Sequence, residues 1–173
     1  MVYWIMIFNQ NSLGKFPGES LLAAITTANY HTLCVQYGLD PALIQPALKN
    51  LSLEMAGGSE VPYVLVRYQP QHQPPLVVTR WDALTAPGRR RLSDFIDHPV
   101  FAEMRDHLMS TRELVTVEMV EPQLADLGLV LAYEIARWAS GQGKGLVYGL
   151  DGTWYCLNVH HAFIPLDMGP NHP

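Results

Sequence analysis

The chain has 173 residues, of which 49% are hydrophobic and 16% charged, with a formal net charge of -5 at pH 7. This length is typical of one domain that buries about 70% of the surface its unfolded chain would expose. The negative charge disfavours phosphate backbones and anionic membranes, so we expect neither nucleic acid nor a membrane as a partner. The charged fraction lies below the roughly 25% of an average soluble domain, which favours either an apolar contact surface or a large core under an uncharged polar surface.

The N-terminal part of the chain predicts a buried strand followed by two helices. Residues 2–8 are rich in β-branched and aromatic side chains, as in a strand, and are far fewer than the ~20 needed to cross a bilayer. Apolar residues at helical spacing predict a helix over residues 19–37. Asp40 followed by Pro41 predicts the start of a short helix that ends near Leu51.

A proline-rich loop separates the next two predicted strands, residues 61–68 and 76–80. The loop contains three prolines within seven residues, so it predicts a stiff, extended connection at the surface. Because surface loops of this kind often carry contacts, we take His72 within it as a candidate binding residue.

Two helices are then predicted, over residues 81–96 and 100–109, with a break before Pro99. The first is expected to pack through Leu84 and Leu92, with a run of three arginines on its solvated face. A strand over Glu113–Val120 follows, in which one face is wholly apolar.

The most apolar segment is a predicted helix over residues 122–140. Its apolar residues cover nearly the whole circumference, so it must be buried on most sides. If Leu129, Val130 and Tyr133 proved exposed, a partner surface would run along this helix. Tyr133 is therefore a candidate binding residue.

A hairpin closes the fold, with strands at residues 146–148 and 153–157 around an Asp151-Gly152 turn. Trp154 and Tyr155 alternate faces beside this turn, so one of them should be partly exposed. We take both as candidate binding residues. A single domain over residues 1–168 is expected, with a frayed tail at 169–173.

These elements predict the α+β class: one mixed or antiparallel sheet of about five to six strands, with helices packed mainly on one face. The cysteines, Cys34 and Cys156, fit no metal or redox spacing. Free thiols are typical of a reducing compartment, so we expect the chain to be cytoplasmic.

Only one combination of residues suggests catalysis, Cys156 with His160 or His161. The two histidines are adjacent, so in a strand they would point to opposite faces and could not share one ion. No zinc-type spacing occurs, and we expect neither a metal nor another cofactor. Structural or surface histidines are the simpler interpretation.

The order of a helix ending near Trp138, a glycine-rich turn, Gly145-Leu146-Val147-Tyr148 and Asp151-Gly152-Thr153-Trp154 resembles the C-terminal region of small bacterial α+β proteins. Several of these are cytosolic immunity or toxin-neutralising proteins encoded beside secreted effectors. The resemblance covers about 45 residues and implies a non-enzymatic protein that works by occluding a partner. It supplies no catalytic residues.

Three hypotheses follow. The first is a protein-binding module of immunity type, for which a second copy of the chain is a further candidate partner. The second is a small hydrolase or transferase that uses Cys156 with His160 or His161. The third is a structural subunit of a larger assembly.

Overall fold

A computed structural model describes residues 1–14, 18–69 and 74–166. The strands are β1 (Val2–Asn9), β2 (Ser52–Gly57), β3 (Pro62–Arg67), β4 (Leu76–Asp82), β5 (Glu113–Val120), β6 (Gly145–Tyr148), β7 (Trp154–Leu157) and β8 (Phe163–Pro165). They form one eight-stranded sheet in the spatial order β2-β3-β4-β5-β1-β6-β7-β8, and each neighbouring pair is antiparallel.

The helices cover both faces of this sheet. They are α1 (Gly18–Thr27), α2 (Tyr30–Gln36), α3 (Ile44–Lys49), α4 (Ala86–Ile96), α5 (Arg105–Met109) and α6 (Leu127–Gly143), with 3-10 helices at Pro41–Leu43, Pro99–Met104 and Glu121–Ala125. No helix in the described part of the chain has the length and hydropathy of a membrane span.

The central strand β1 divides the apolar residues between two cores. Ile5 and Ile7 belong to a large core under α1, α2, α3 and α6. Met6 and Phe8 belong to a smaller core that includes residues of α4, α5 and the 3-10 helix between them. This division follows because successive side chains of a strand face opposite sides of the sheet. The helices therefore pack mainly on one face, as predicted, with α1, α2, α3 and α6 there and α4 and α5 on the other face.

Helix α6 is the apolar helix that the sequence predicts, but it begins and ends later, at Leu127 and Gly143 instead of at residues 122 and 140. Pro122 lies in the preceding 3-10 helix, and α6 starts after Asp126, whose carboxylate accepts a hydrogen bond from the Gly128 N–H at 2.6 Å. The helix connects β5 to β6. Because both strands are antiparallel to β1 between them, they are parallel to each other.

The end of α6 fits closely against the end of β1. A Cβ atom on Gly143 would lie 2.1 Å from Cγ of Asn9, and one on Gly145 would lie 2.2 Å from Oδ1 of the same side chain. The Asn11 N–H also donates to the Gly143 carbonyl at 2.9 Å. The glycines are thus required by this close approach, whereas the left-handed residue of the turn is Lys144, with φ 52°.

The expected number of strands, five to six, is wrong because the two edge strands were not recognised. In β2, Leu53 and Ala56 are half-buried and the other residues are exposed, so the segment lacks the alternation of a covered strand. β8 has three residues and ends in Pro165, which cannot donate to a ladder.

Several predicted helix boundaries also need correction. Residues 19–37 form two helices, since Asn29 leaves the helical region, with φ -82° and ψ 75°, and the Tyr30 N–H donates to the Ala28 carbonyl at 3.0 Å in a tight turn. β4 continues through Trp81, so α4 starts after its N-cap Thr85, and Leu84 is 68% exposed instead of packed.

The predicted helix over residues 100–109 divides into the 3-10 helix Pro99–Met104 and the short α5. The predicted tail, residues 169–173, lies outside the described residues.

Candidate functional site

A cavity lies between α2, α6 and the C-terminal strands, on the face of the large core. Its volume is about 740 Å³. Pockets of this size with a mostly apolar lining are typical binding sites. We call it the aromatic groove; its lining is Thr32, Leu33, Gln36, Tyr37, Leu124, Leu129, Tyr133, Glu134, Arg137, Leu150, Asp151, Tyr155, Ala162, Phe163 and Pro165.

Four aromatic rings from separate elements form a continuous set in the groove. Tyr37, the C-cap of α2, stacks on Tyr133 of α6 with ring centroids 5.7 Å apart and an interplanar angle of 21°. Phe163 of β8 contacts Tyr133 at 6.0 Å and Tyr155 of β7 at 5.7 Å, both edge to face. All four are half-buried, so each ring contributes both to packing and to the groove surface.

The β6–β7 turn supplies the polar rim of the groove. The Tyr155 hydroxyl donates to Oδ2 of Asp151 at 2.6 Å, and the Leu150 N–H donates to the Tyr133 hydroxyl at 3.2 Å. Oδ1 of Asp151 accepts the Thr153 N–H at 3.1 Å, as is usual for an aspartate in a turn. These bonds fix the turn against α6.

An ion pair lies on the α6 side of the groove. The Arg137 Nε donates to Oε1 of Glu134 at 2.7 Å, and its Nη2 donates to the same oxygen. Glu134 is buried, whereas Arg137 is half-exposed. The hydrogen bond from the guanidinium to Glu134 is the main cause that raises the pKa of Arg137.

The tyrosines of the groove are neutral at ordinary pH, whereas its rim aspartate is ionised. Burial raises the pKa of Tyr37 to about 12, and the nearby tyrosines and Asp151 act in the same direction. Burial, followed by the hydrogen bond to Asp151, raises the pKa of Tyr155 to about 12. Burial alone would raise the pKa of Asp151, but the hydrogen bonds from Tyr155 and Thr153 outweigh it and hold that pKa below its usual value.

The structure brings two of the four candidate binding residues together. Tyr133 and Tyr155 both line the aromatic groove. Trp154 is 3% exposed and faces the smaller core, with its ring centroid 5.3 Å from that of Phe8. His72 lies outside the described residues.

The candidate catalytic residues do not line the groove. Cys156 is half-buried in β7, opposite Ile164 of β8. His160 and His161 are exposed in the β7–β8 turn, and His161 packs near the end of α6, with Nδ1 3.3 Å from the position of a Cβ on Gly141. Among the described residues, no hydrogen bond joins Cys156 to either histidine. Nor do residues 1–14, 18–69 and 74–166 hold a cluster of three metal-ligating side chains.

The arginine run is only partly a solvated face. Arg91 lies over the rings of Trp4 at 5.0 Å, Trp81 at 5.8 Å and Phe95 at 5.2 Å. A second cavity of about 490 Å³ adjoins it, lined by charges of both signs. The ring contacts explain Arg91 as a packing residue.

Sequence reasoning missed Tyr37 and Phe163 as groove residues. Tyr37 fits the apolar spacing of the helix predicted over residues 19–37, which does not distinguish it from a core residue, and Phe163 lies in a segment without a recognisable strand pattern. The aromatic character of both was the only available signal. No protein-family model, curated protein or solved structure matches the chain.

Proposed function

We propose that the chain is a non-enzymatic protein-binding module that works by occluding its partner through the aromatic groove. One observation supports this most directly: the three charged side chains of the groove, Glu134, Arg137 and Asp151, are all hydrogen-bonded within its wall. The groove therefore offers ring faces, aliphatic surface and one rim carboxylate, with its charged groups held by hydrogen bonds within the wall. Aromatic concavities of this kind receive the anchor side chains of protein interfaces.

The resemblance of the helix-to-hairpin region to bacterial immunity proteins supplies the class of partner. On that basis the module acts in the cytoplasm and neutralises a secreted effector by covering its working surface. The competing hypothesis is that the same groove binds a second copy of the chain. Light scattering at micromolar concentration distinguishes the two, because a groove occupied by a second copy makes the chain a dimer.

A small hydrolase or transferase using Cys156 with His160 or His161 is the alternative. These residues are near in sequence, but the histidines are exposed in a turn and neither is hydrogen-bonded to Cys156 among the described residues. A cysteine nucleophile requires a base within reach to form its thiolate. The Cys156→Ala and His161→Ala variants test it, since an enzyme of this type would lose its cellular effect in both.

The proposed function is tested by blocking the groove. Thr32 is exposed on α2 at the groove wall, so Thr32→Trp adds an indole there without entering the core. Met109 is also exposed at the end of α5, which packs in the smaller core, and Met109→Trp is the matched control. The tagged protein and both variants are purified from the native cell, and co-purifying proteins are quantified by mass spectrometry.

The expected result is one protein at near-stoichiometric amount with the wild type and Met109→Trp, and its loss with Thr32→Trp. Identical sets of proteins with all three would contradict a role for the groove. Absence of any stoichiometric protein would contradict the binding module itself.

A further inference from the structure

The charges around the aromatic groove do not balance. Glu134 and Arg137 offset each other because they are hydrogen-bonded as a pair. Asp151 forms no ion pair among the described residues, and its carboxylate accepts from neutral donors, the Tyr155 hydroxyl and the Thr153 N–H. Hydrogen bonds from neutral groups stabilise the carboxylate but leave its charge without a counter-ion. The groove therefore carries one uncompensated negative charge on its exposed rim.

This charge lies next to the aromatic rings. A Cβ atom on Gly149 would lie 2.8 Å from Oδ1 of Asp151, 2.9 Å from Cε2 of Tyr155 and 3.1 Å from the Tyr133 hydroxyl. The three groups thus converge around one point. The carboxylate charge also acts on the pKa of Tyr37, across the groove, so its field extends along the ring set.

Ring faces and a carboxylate attract the same kind of group. The face of an aromatic ring is negative, and an ammonium or guanidinium group within about 6 Å of its centroid is attracted to it. An anion would be repelled by both the rings and Asp151, because Arg137 is already paired. A neutral apolar group would leave the charge of Asp151 without a partner.

We propose that the aromatic groove binds an arginine or lysine side chain of the partner protein, with its cationic head beside Asp151 and over the rings of Tyr133 and Tyr155. The aliphatic stem of that side chain lies along Leu129 and Leu33, as long cationic side chains do on apolar surfaces. Arginine fits best, since its planar guanidinium can stack on a ring while donating to the carboxylate. This inference rests on the proposed protein-binding function and adds the chemistry of the anchor.

Two small probes test the chemistry directly on the full chain. Butylguanidinium carries the cationic head of arginine, and butylurea is its neutral counterpart of similar shape. Each is titrated while the aromatic proton resonances of Tyr133, Tyr155 and Phe163 are followed by NMR. The expected result is saturable binding of butylguanidinium, with butylurea weaker by about fivefold or more, and weakening of the former as salt rises.

Two variants test whether the carboxylate of Asp151 is the charge that binds the probe. Asp151→Asn keeps an oxygen that can accept from Tyr155 and removes the charge, so butylguanidinium binding should fall by about fivefold or more. Glu54→Gln is the control, because Glu54 is an exposed acid on the edge strand β2, bonded to Arg67 at 3.4 Å. It should leave the affinity unchanged.

Equal binding of the two probes, or an Asp151→Asn variant with wild-type affinity, would overturn the proposal, as would the absence of any shift in the groove rings. These results would leave the proposed function intact if Thr32→Trp still loses the partner protein. Butylguanidinium binding in a protein with no groove-dependent partner would instead overturn the assignment of the cation to a protein side chain.

Discussion

Trp154 and Tyr155 are neighbours in β7, yet they belong to two aromatic clusters of opposite character. Trp154 enters a closed cluster on the face of the smaller core, where it contacts Phe8 at 5.3 Å, Phe101 at 5.7 Å and Tyr148 at 5.0 Å. Tyr155 faces the other side of the sheet, where the half-buried rings of the aromatic groove surround a cavity. Adjacent aromatic residues thus have different tasks because the strand directs them to different faces.

The difference lies in what covers each cluster. The closed cluster is covered by α4 and the 3-10 helix Pro99–Met104, whose Phe101 fills its centre. In the groove, α2 and β8 stand apart, and no element of the described chain fills the space between them. Rings of the covered cluster stabilise the fold, whereas rings beside a cavity leave part of their surface available to a ligand. Four predictions test this contrast, in order of decreasing effect.

The closed cluster should dominate stability. Trp154→Ala removes a side chain that is almost fully buried and leaves a cavity, so the free energy of unfolding should fall by about 3–5 kcal/mol. Urea denaturation followed by circular dichroism measures this. Tyr155→Ala is the control on the opposite face, and a loss as large as that of Trp154→Ala would show that the groove rings are also core.

The fit between α6 and β1 should be the next most sensitive feature. Gly143→Ala places a methyl group within 2.1 Å of the buried Asn9 side chain, and overpacking of this kind costs about 1–3 kcal/mol. Gly141→Ala is the matched control in the same helix, because its nearest neighbour, His161 Nδ1, is 3.3 Å away at the end of an exposed side chain. It should be neutral or slightly stabilising. Equal losses of unfolding free energy for the two variants, measured by urea denaturation, would contradict the claim that the contact between Gly143 and Asn9 requires glycine.

A substitution in the groove should weaken partner binding much more than it lowers the stability of the fold. Phe163→Ala removes a half-buried ring from an edge strand, so we expect a loss of only about 1 kcal/mol in the free energy of unfolding. Partner binding should weaken by about tenfold or more, since central aromatic side chains dominate interface energies. Isothermal titration calorimetry with the purified partner measures the affinity. A variant that is strongly destabilised but binds normally would reverse the assignment of the two clusters.

The smallest expected effect is a change in the pKa of Asp151 on the rim of the groove. Tyr155→Phe removes the hydrogen bond to Asp151, so the pKa of that carboxyl should rise toward its ordinary value of about 3.9. Because the folded pKa is depressed in the wild type, the stabilisation from this bond is present above about pH 4 and is lost as the pH falls through the folded pKa. Carboxyl carbon NMR of the two proteins measures the shift. An unchanged pKa of Asp151 in the variant would show that the backbone bonds of the turn are responsible.

The parts of the fold that the sequence predicts are those with strong apolar patterns. Glu113–Val120 is a strand as predicted, and α6 and the β6–β7 hairpin lie close to where their patterns place them, although the helix starts later and continues to Gly143. The edge strands were missed because an edge strand buries little and needs no alternation. The break between α1 and α2 was missed because one tight turn at Asn29 separates the two helices while the apolar spacing continues through it.

Only two of the four aromatic residues of the groove could be predicted from the sequence. Tyr133 could be predicted as a binding residue because its helix is apolar on nearly every side and needs more cover than the sheet alone provides. Tyr155 could be predicted because it alternates faces with Trp154. Tyr37 could not, because it reaches the groove through the packing of α2 on α6, a contact between distant segments. Phe163 could not, because it lies in a three-residue edge strand without a recognisable pattern. Asp151 was recognised as a turn residue, and its position beside the rings follows only from the folded hairpin.

Photo-crosslinking in the native cell tests the central claim, that the aromatic groove is the surface that meets a partner. Benzoylphenylalanine is introduced in place of Gln36, an exposed residue of the groove wall, and in place of Met109 as the control away from the groove. The account predicts a single protein adduct from position 36, lost when Thr32→Trp is added, and no such adduct from position 109. The same adduct from both positions, or an adduct from position 109 alone, would contradict it.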